Sequence, residues 1–256
     1  MRYIIHVGLH KTGTTTLQKT LSENKNLLLQ LGIDYFEESL RIPSGNGLGH
    51  LVLREGVLAD FQMQAGRKNK LLDKLHTFLC GANEIKLISG ESLSLIRTLE
   101  EVERLVELIG TRNIEIIVTL RRKDHWWKSY RQQILKTGIR SVKPLSAANL
   151  KNKEWLLDHE RLVQVFKRTV GNKNVHILNY SKSINYEIMK IINPEAEIAF
   201  EKNYNVTGHR AFGFHFFYNT KFGLFLSKFY RIFLRDTLVG KKYRKIKEII
   251  WKYYND

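Results

Sequence analysis

The stretch "YIIHVGLHKTGTTTLQKTL", Tyr3–Leu21, decides the expected fold of this chain. Its apolar half is rich in β-branched residues and stops at a glycine, which predicts a buried strand over Arg2–Gly8. A helix is predicted over Gly13–Leu31. Gly8 and Gly13 permit a tight turn that points several backbone N–H groups at one anion, and the dipole of the following helix adds to the attraction. The stretch therefore predicts a phosphate-binding loop.

Strands and helices alternate along the rest of the chain. Further strands are predicted at Ile33–Phe36, "EIKLISG" (Glu84–Gly90), "NIEIIVTL" (Asn113–Leu120) and "NVHILNY" (Asn174–Tyr180). Helices are predicted near Leu51–Gln62, Arg67–Leu79, Thr98–Ile109, Lys123–Lys136 and Asp158–Val170, and "RIPSGNGLGH" is predicted to be a loop. This order predicts a P-loop-like, three-layer α/β fold with a mostly parallel central sheet flanked by helices.

Length and composition suit one folded domain with an anionic partner. The chain has 256 residues, 43% of them hydrophobic, and a formal charge of +17. The single cysteine, Cys80, excludes internal disulfides, is interpreted as a small buried apolar residue, and indicates a reducing compartment. The apolar run at the start is read as a strand rather than a signal peptide, and we expect a cytoplasmic protein without a transmembrane span.

The C-terminal part differs in composition from the rest of the chain. Residues 1–207 are predicted to form the main domain, and residues 208–256, which mix aromatic with basic side chains, a helical extension packed on it. The alternative interpretation of this extension is a peripheral contact with an anionic membrane, at the inner face of the membrane, because aromatic and basic residues together suit such a surface.

The loop differs from that of nucleotide triphosphatases. In the pattern G-x-x-x-x-G-K-[ST] the lysine directly follows the second glycine. Here Thr14 follows Gly13, and Lys11 lies two residues before that glycine. The strand "IEIIVTL" also runs into Arg121 and Arg122, where such an enzyme would place an acidic residue for Mg²⁺. A small-molecule kinase is therefore the weaker interpretation.

The segment "HKTGTTTL" resembles the 5′-phosphosulfate loop of sulfotransferases that use 3′-phosphoadenosine 5′-phosphosulfate (PAPS), which reads approximately P-K-[ST]-G-T-T-x-L. Here His10 replaces the proline. That family has a second signature, a strand that leads to an arginine followed eight residues later by a serine. Arg121 and Ser129 have this spacing, and an arginine and a serine so placed can bind one phosphate together. Arg122 is the competing candidate.

The resemblance implies how the donor is held. PAPS would be bound, and its product 3′,5′-adenosine bisphosphate released, by Lys11, Thr12, Gly13, Thr14, Thr15, Thr16, Arg121, Ser129 and Tyr180. In this scheme Lys11 neutralises the leaving oxygen and Tyr180 lies against the adenine. A basic segment with Arg210 only weakly resembles the segment near the C-terminus with which family members contact the 3′-phosphate. No metal is implied.

The general base has three candidates. Family members use a His or a Glu, often after the strand that follows the first helices, and Glu91 has that position in "KLISGES". His50, in the glycine-rich loop, is the second candidate, and His10, which could instead orient the sulfonate, is the third. The remaining histidines are interpreted as structural or exposed.

These features predict an enzyme, a PAPS-dependent sulfotransferase that acts on a hydroxyl or amine of an acceptor, preferably a glycan or glycolipid. Its partners would be the nucleotide sulfate donor and that acceptor. The alternative from another class is a non-catalytic nucleic-acid binder, which the charge alone would predict. Because that class gives the two phosphate motifs no role, no nucleic acid is expected as a partner.

Overall fold

A computed structural model describes residues 1–37, 47–61, 63, 66–137, 141–196 and 198 of the chain. Five strands form one sheet: β1 (Arg2–Gly8), β2 (Ile33–Tyr35), β3 (Ile85–Ser89), β4 (Ile114–Leu120) and β5 (Val175–Asn179). Their order across the sheet is β2-β3-β1-β4-β5, and every neighbouring pair is parallel. Parallel strands need covered crossover connections, which the intervening helices supply.

Helices connect the strands. They are α1 (Thr14–Glu23), α2 (Lys25–Gln30), α3 (Gly47–Val52), α4 (Arg67–Leu79), α5 (Leu99–Ile109), α6 (Lys123–Thr137), α7 (Lys153–Leu157), α8 (His159–Val170) and α9 (Ile184–Ile192). Short 3₁₀ turns cover Glu91–Leu95 and Asn172–Asn174. The predicted three-layer α/β fold with a parallel sheet flanked by helices is confirmed.

Apolar side chains fix the helices on the sheet. Those of α1, α2 and α9 share one buried cluster with Ile4, Leu87 and Ile117 of the strands. Helices α5 and α8 contact each other, and α8 also contacts β4 and β5. Because β1 lies between β3 and β4, its carboxyl end opens at the point where the order of strands reverses, the usual place for a ligand in an open parallel sheet.

The predicted helix over Gly13–Leu31 is divided in two. At Asn24 the backbone leaves the helical region, with φ −103° and ψ 22°. The Asn24 side-chain amide donates to the carbonyl oxygen of Thr20 at 2.8 Å. A local bond of this kind competes with the helical pattern, so α1 ends and α2 begins around this residue.

Two local predictions are wrong. The helix expected over Leu51–Gln62 lies earlier, as α3, and its Gly49 was predicted to be in a loop. A Cβ on Gly49 would lie 2.7 Å from the Cβ of Ser92, so the glycine lets α3 approach the 3₁₀ turn. Cys80 is exposed rather than buried, because it is the residue just after the last turn of α4. The extension 208–256, its boundary at 207 and Arg210 lie outside the described residues.

Candidate active site

The loop after β1 has an unusual backbone. Lys11 has φ 68°, and among the described residues it is the one non-glycine residue in the left-handed region. Gly13 follows with φ 82°. The Thr12 hydroxyl and the Thr12 N–H both donate to the carbonyl oxygen of Leu9, at 2.6 and 3.2 Å, and close the turn. A lysine in this conformation costs about 1–2 kcal/mol, so its neighbours hold it there.

The loop opens onto the start of α1. Gly13 is the N-cap residue, and no described side chain caps the helix or places an acid in its first turn. The N–H groups of the first turn lack partners within the helix and carry the positive end of its dipole. Thr15 is half-buried at this end, and Thr16 is buried. This is an arrangement that binds an anion, as the sequence predicts.

Arg121 and Tyr180 lie beside the loop. The Arg121 guanidinium donates from Nη1 to the carbonyl oxygen of Lys11 at 2.9 Å and lies 5.0 Å from the centroid of the Tyr180 ring. The Tyr180 ring also comes within 3.8 Å of the point where a Cβ on Gly13 would be. Tyr180 is 43% exposed, so one part of its ring packs on the loop and another part is open to a ligand.

Arg122 and Ser129 lie differently. Arg122 pairs with Asp124 at 3.1 Å, and its side chain is 76% exposed. The structure therefore directs Arg121, and not Arg122, to the loop. Ser129 is half-buried on α6, and within the described part of the chain no hydrogen bond joins it to Arg121.

Glu91 reaches the loop from β3. It is the first residue of the 3₁₀ turn, which places it after a strand as the sequence predicted. Its Oε1 accepts a hydrogen bond from the Thr14 hydroxyl at 3.3 Å. Burial raises the pKa of Tyr130, and the negative charge of Glu91 raises it further. The structure thus brings one predicted base candidate to the anion loop.

His50 lines a cavity beside α3. It is a residue of α3, and its Nε2 hydrogen-bonds the carbonyl oxygen of Phe61 at 2.8 Å. Burial lowers the pKa of His50, the bond to Phe61 opposes this, and nearby Lys68 lowers the pKa further. The cavity has a volume of about 540 Å³, and Arg54 and Lys68 also line it. No hydrogen bond joins His50 to the anion loop in the described residues.

His10 packs among aromatic rings for which the sequence predicted no role. Its ring meets the Tyr130 ring edge-on at 5.3 Å, and Tyr130 stacks on Trp126 at 4.8 Å. His10 Nδ1 is buried, and the described residues offer it no hydrogen-bond partner. The spacing of Trp126 and Tyr130, four residues apart at the start of α6, was the available signal for a buried aromatic face.

His6 lies on β1, two residues before the end of the strand. Its Nδ1 hydrogen-bonds Ser89 Oγ at 2.9 Å and its Nε2 hydrogen-bonds Thr119 Oγ1 at 3.1 Å. One side chain of β1 is thereby tied to β3 and β4 just before Gly8. Burial lowers the pKa of His6 to about 4, so the ring is neutral at pH 7.

We expect His6 to make the fold sensitive to acid. The folded pKa is about 4 and the unfolded pKa is 6.5, so the unfolded chain binds the proton first. Stability should therefore fall as the pH drops from about 6.5 to about 4, by about 3 kcal/mol from this residue. Urea unfolding of the wild type and of His6→Gln at several pH values checks this. The free energies of unfolding of the wild type and of His6→Gln should become similar in acid. The difference between the wild type and His125→Gln, a change at an exposed histidine, should stay constant with pH.

Metal-binding groups and membrane-spanning helices are both absent from the described residues. No group of three or more His, Cys, Asp or Glu side chains lies together in a way that could hold a metal ion there. Among the same residues, no helix combines the length and the apolar character needed to span a bilayer.

Comparison with known proteins finds a distant structural likeness. No protein family matches the chain, and no curated protein is similar to it in sequence. The crystal structure of a sulfotransferase from Alicyclobacillus acidocaldarius is similar with a TM-score of 0.45 and 11% identity, over 80% of this chain and 87% of that chain. A likeness at this identity and TM-score carries no argument about function, which has to come from the residues of this chain.

Proposed function

We propose that the chain is a sulfotransferase that moves a sulfuryl group from PAPS to a hydroxyl or amine of an acceptor. One observation carries the proposal. The loop with Lys11, the guanidinium of Arg121, the ring of Tyr180 and the carboxylate of Glu91 meet at the carboxyl end of the central strand. They come from four separate parts of the sequence, and each has a role in binding or reacting with one phosphorylated nucleotide.

The residues present fit the donor. The uncapped N–H groups at the start of α1 and the hydroxyl groups around them suit the 5′-phosphosulfate end. Arg121, with Ser129, would hold the 3′-phosphate, since a guanidinium binds phosphate through two parallel hydrogen bonds. The open part of the Tyr180 ring offers a surface for the adenine.

Two side chains would serve the reaction itself. The donor supplies an activated sulfuryl group: the bond from sulfur to the acceptor atom forms as the bond from sulfur to the 5′-phosphate oxygen breaks. Lys11 places a positive charge where it can stabilise the negative charge that develops on the leaving oxygen. Glu91 is the group that takes the proton of the acceptor hydroxyl or amine. His50 has the weaker claim to this role because, in the described residues, no hydrogen bond joins it to the anion loop, whereas Glu91 accepts one from Thr14.

We propose a glycan or glycolipid as the acceptor. The chain carries 42 Lys and Arg residues against 25 Asp and Glu residues. Such a surface favours an acceptor that is anionic or becomes anionic as sulfate is added. The loop "GLHKTGTT", Gly8–Thr15, resembles those of bacterial and carbohydrate-directed sulfotransferases more than those of enzymes that act on small phenols, which supports the same class.

Ligand-dependent thermal stability tests the donor. At a concentration one hundred times the Kd, a ligand stabilises a fold by about 2.7 kcal/mol. For a chain of this size, we expect 3′,5′-adenosine bisphosphate to raise the Tm by roughly 5–10 °C. ATP with Mg²⁺ should raise it much less. Stabilisation by ATP–Mg²⁺ without stabilisation by the bisphosphate would favour a kinase and contradict the proposal.

A further inference from the structure

Thr14 makes two contacts that fix its side chain. It is 3% exposed, and its methyl carbon lies only 2.2 Å from the point where a Cβ on Gly8 would be. The methyl group therefore occupies the space that the missing side chain of Gly8 leaves. A threonine has few rotamers, so placing its methyl group also places its hydroxyl group. That hydroxyl group donates to Glu91.

A hydroxyl group has a single proton to donate. The Thr14 hydroxyl can donate a hydrogen bond to the carboxylate of Glu91 or to an oxygen of a bound phosphate, but not to both at once. The 3.3 Å distance from the Thr14 hydroxyl to Glu91 is longer than the usual O–H···O distance, and Glu91 is the one hydrogen-bond partner of that hydroxyl in the described residues. The phosphate has other donors at hand, namely the backbone N–H groups of the first turn of α1 and the Thr15 hydroxyl.

We propose that Thr14 is a positioning residue for Glu91, and that its hydroxyl group does not bind the donor. This inference rests on the proposed function, because it gives Glu91 the role of proton acceptor. The Thr14 side chain fixes which way the Glu91 carboxylate faces, and Gly8 fixes the Thr14 side chain. Thr14 contributes to phosphate binding through its backbone N–H alone.

Nucleotide affinity separates this role from direct binding. Thr14→Val replaces the hydroxyl with a methyl group of similar size, and Thr15→Val is the matched control. With 3′,5′-adenosine bisphosphate as the titrant, calorimetry should give Thr14→Val a Kd within about twofold of the wild type. Thr15→Val should bind about tenfold more weakly, as expected for a lost hydrogen bond to a charged group. A tenfold loss in Thr14→Val would overturn the inference.

Turnover provides the second readout. PAPS is the donor, a panel of hexosamine-containing oligosaccharides supplies the acceptors, and release of 3′,5′-adenosine bisphosphate is measured. Thr14→Val should lower kcat about tenfold with the KM for PAPS unchanged, and Thr14→Ser, which keeps the hydroxyl group but loses the methyl group that places it, should recover only part of that loss. In a Glu91→Gln background, Thr14→Val should have little further effect. Unchanged kcat in Thr14→Val, or full additivity with Glu91→Gln, would overturn the inference.

Failure of the proposed function would give different results from failure of the role of Thr14. If the wild-type chain does not bind 3′,5′-adenosine bisphosphate, the donor is wrong and Glu91 has no acceptor proton to take. If the wild type binds it and only the Thr14 results disagree, the donor stands and the positioning role is lost. If valine at this buried position reduces folding, Thr14→Ala removes the hydroxyl group with a smaller side chain, and the same affinity and turnover results are expected.

Discussion

Replacing Lys11 with glycine should abolish most sulfuryl transfer while leaving the fold nearly as stable as before. Lys11 has φ 68°, a conformation that glycine adopts without strain. Relief of that strain offsets the larger entropy that glycine gives the unfolded chain, so the free energy of unfolding should change by no more than about 1 kcal/mol. Loss of the positive charge at the leaving oxygen should reduce kcat by about 10²–10³.

The Lys11→Gly variant should still bind the product. Affinity for 3′,5′-adenosine bisphosphate should fall by about tenfold, less than the loss in kcat, because the leaving oxygen keeps its negative charge in the 5′-phosphate of the bound product and its backbone N–H partners remain. Lys11→Met tests the charge with the strained backbone kept, and Lys173→Met, an exposed lysine at the other end of the sheet, is the control. Turnover of Lys11→Gly within tenfold of the wild type would contradict the assigned role.

Replacing Arg121 with alanine should make the chain unable to distinguish nucleotides by their 3′-phosphate. Hydrogen bonds to a charged group are worth about 1.5–3 kcal/mol, so the affinity for 3′,5′-adenosine bisphosphate should fall about 10–100-fold. The affinity for adenosine 5′-monophosphate, which has no 3′-phosphate, should change little. Calorimetric titration of both nucleotides into the wild type and the variant measures this difference.

The neighbouring arginine supplies the control for that experiment. Arg122 is mostly exposed and pairs with Asp124, so Arg122→Ala should change both affinities by less than about threefold. Equal losses for the two nucleotides in Arg121→Ala would show that Arg121 acts by holding the Lys11 carbonyl rather than by binding the 3′-phosphate. A larger loss in Arg122→Ala than in Arg121→Ala would exchange their roles.

The strands and the loop could be predicted from the sequence because their signals are local. Buried parallel strands need continuous apolar residues, so Arg2–Gly8 and Ile114–Leu120 are visible as runs of isoleucine and valine. The glycines and Lys11 mark the turn between strand and helix by their spacing. The capping box of Thr98 and Glu101 likewise fixes the start of α5, one residue after the predicted boundary.

The contacts within the site could not be predicted in the same way. The hydrogen bond from Thr14 to Glu91 joins residues 77 positions apart, and nothing near either residue indicates it. The position of α3 depends on the fit of Gly49 against Ser92, and a glycine-rich stretch looks the same in a loop. His50 was the second candidate for the base after Glu91, and the fold gives the two side chains different hydrogen-bond partners. Packing between distant segments decides each case.

The hydrogen bond between Arg121 and the Lys11 carbonyl has a consequence for the order of folding. It spans 110 residues, so it forms only after the chain has closed a long loop and paired β4 with β1. A chain that has made the loop but not this pairing has half of the anion site. A nucleotide that needs both halves recognises the finished sheet, and so it slows unfolding without hastening the steps that build the sheet.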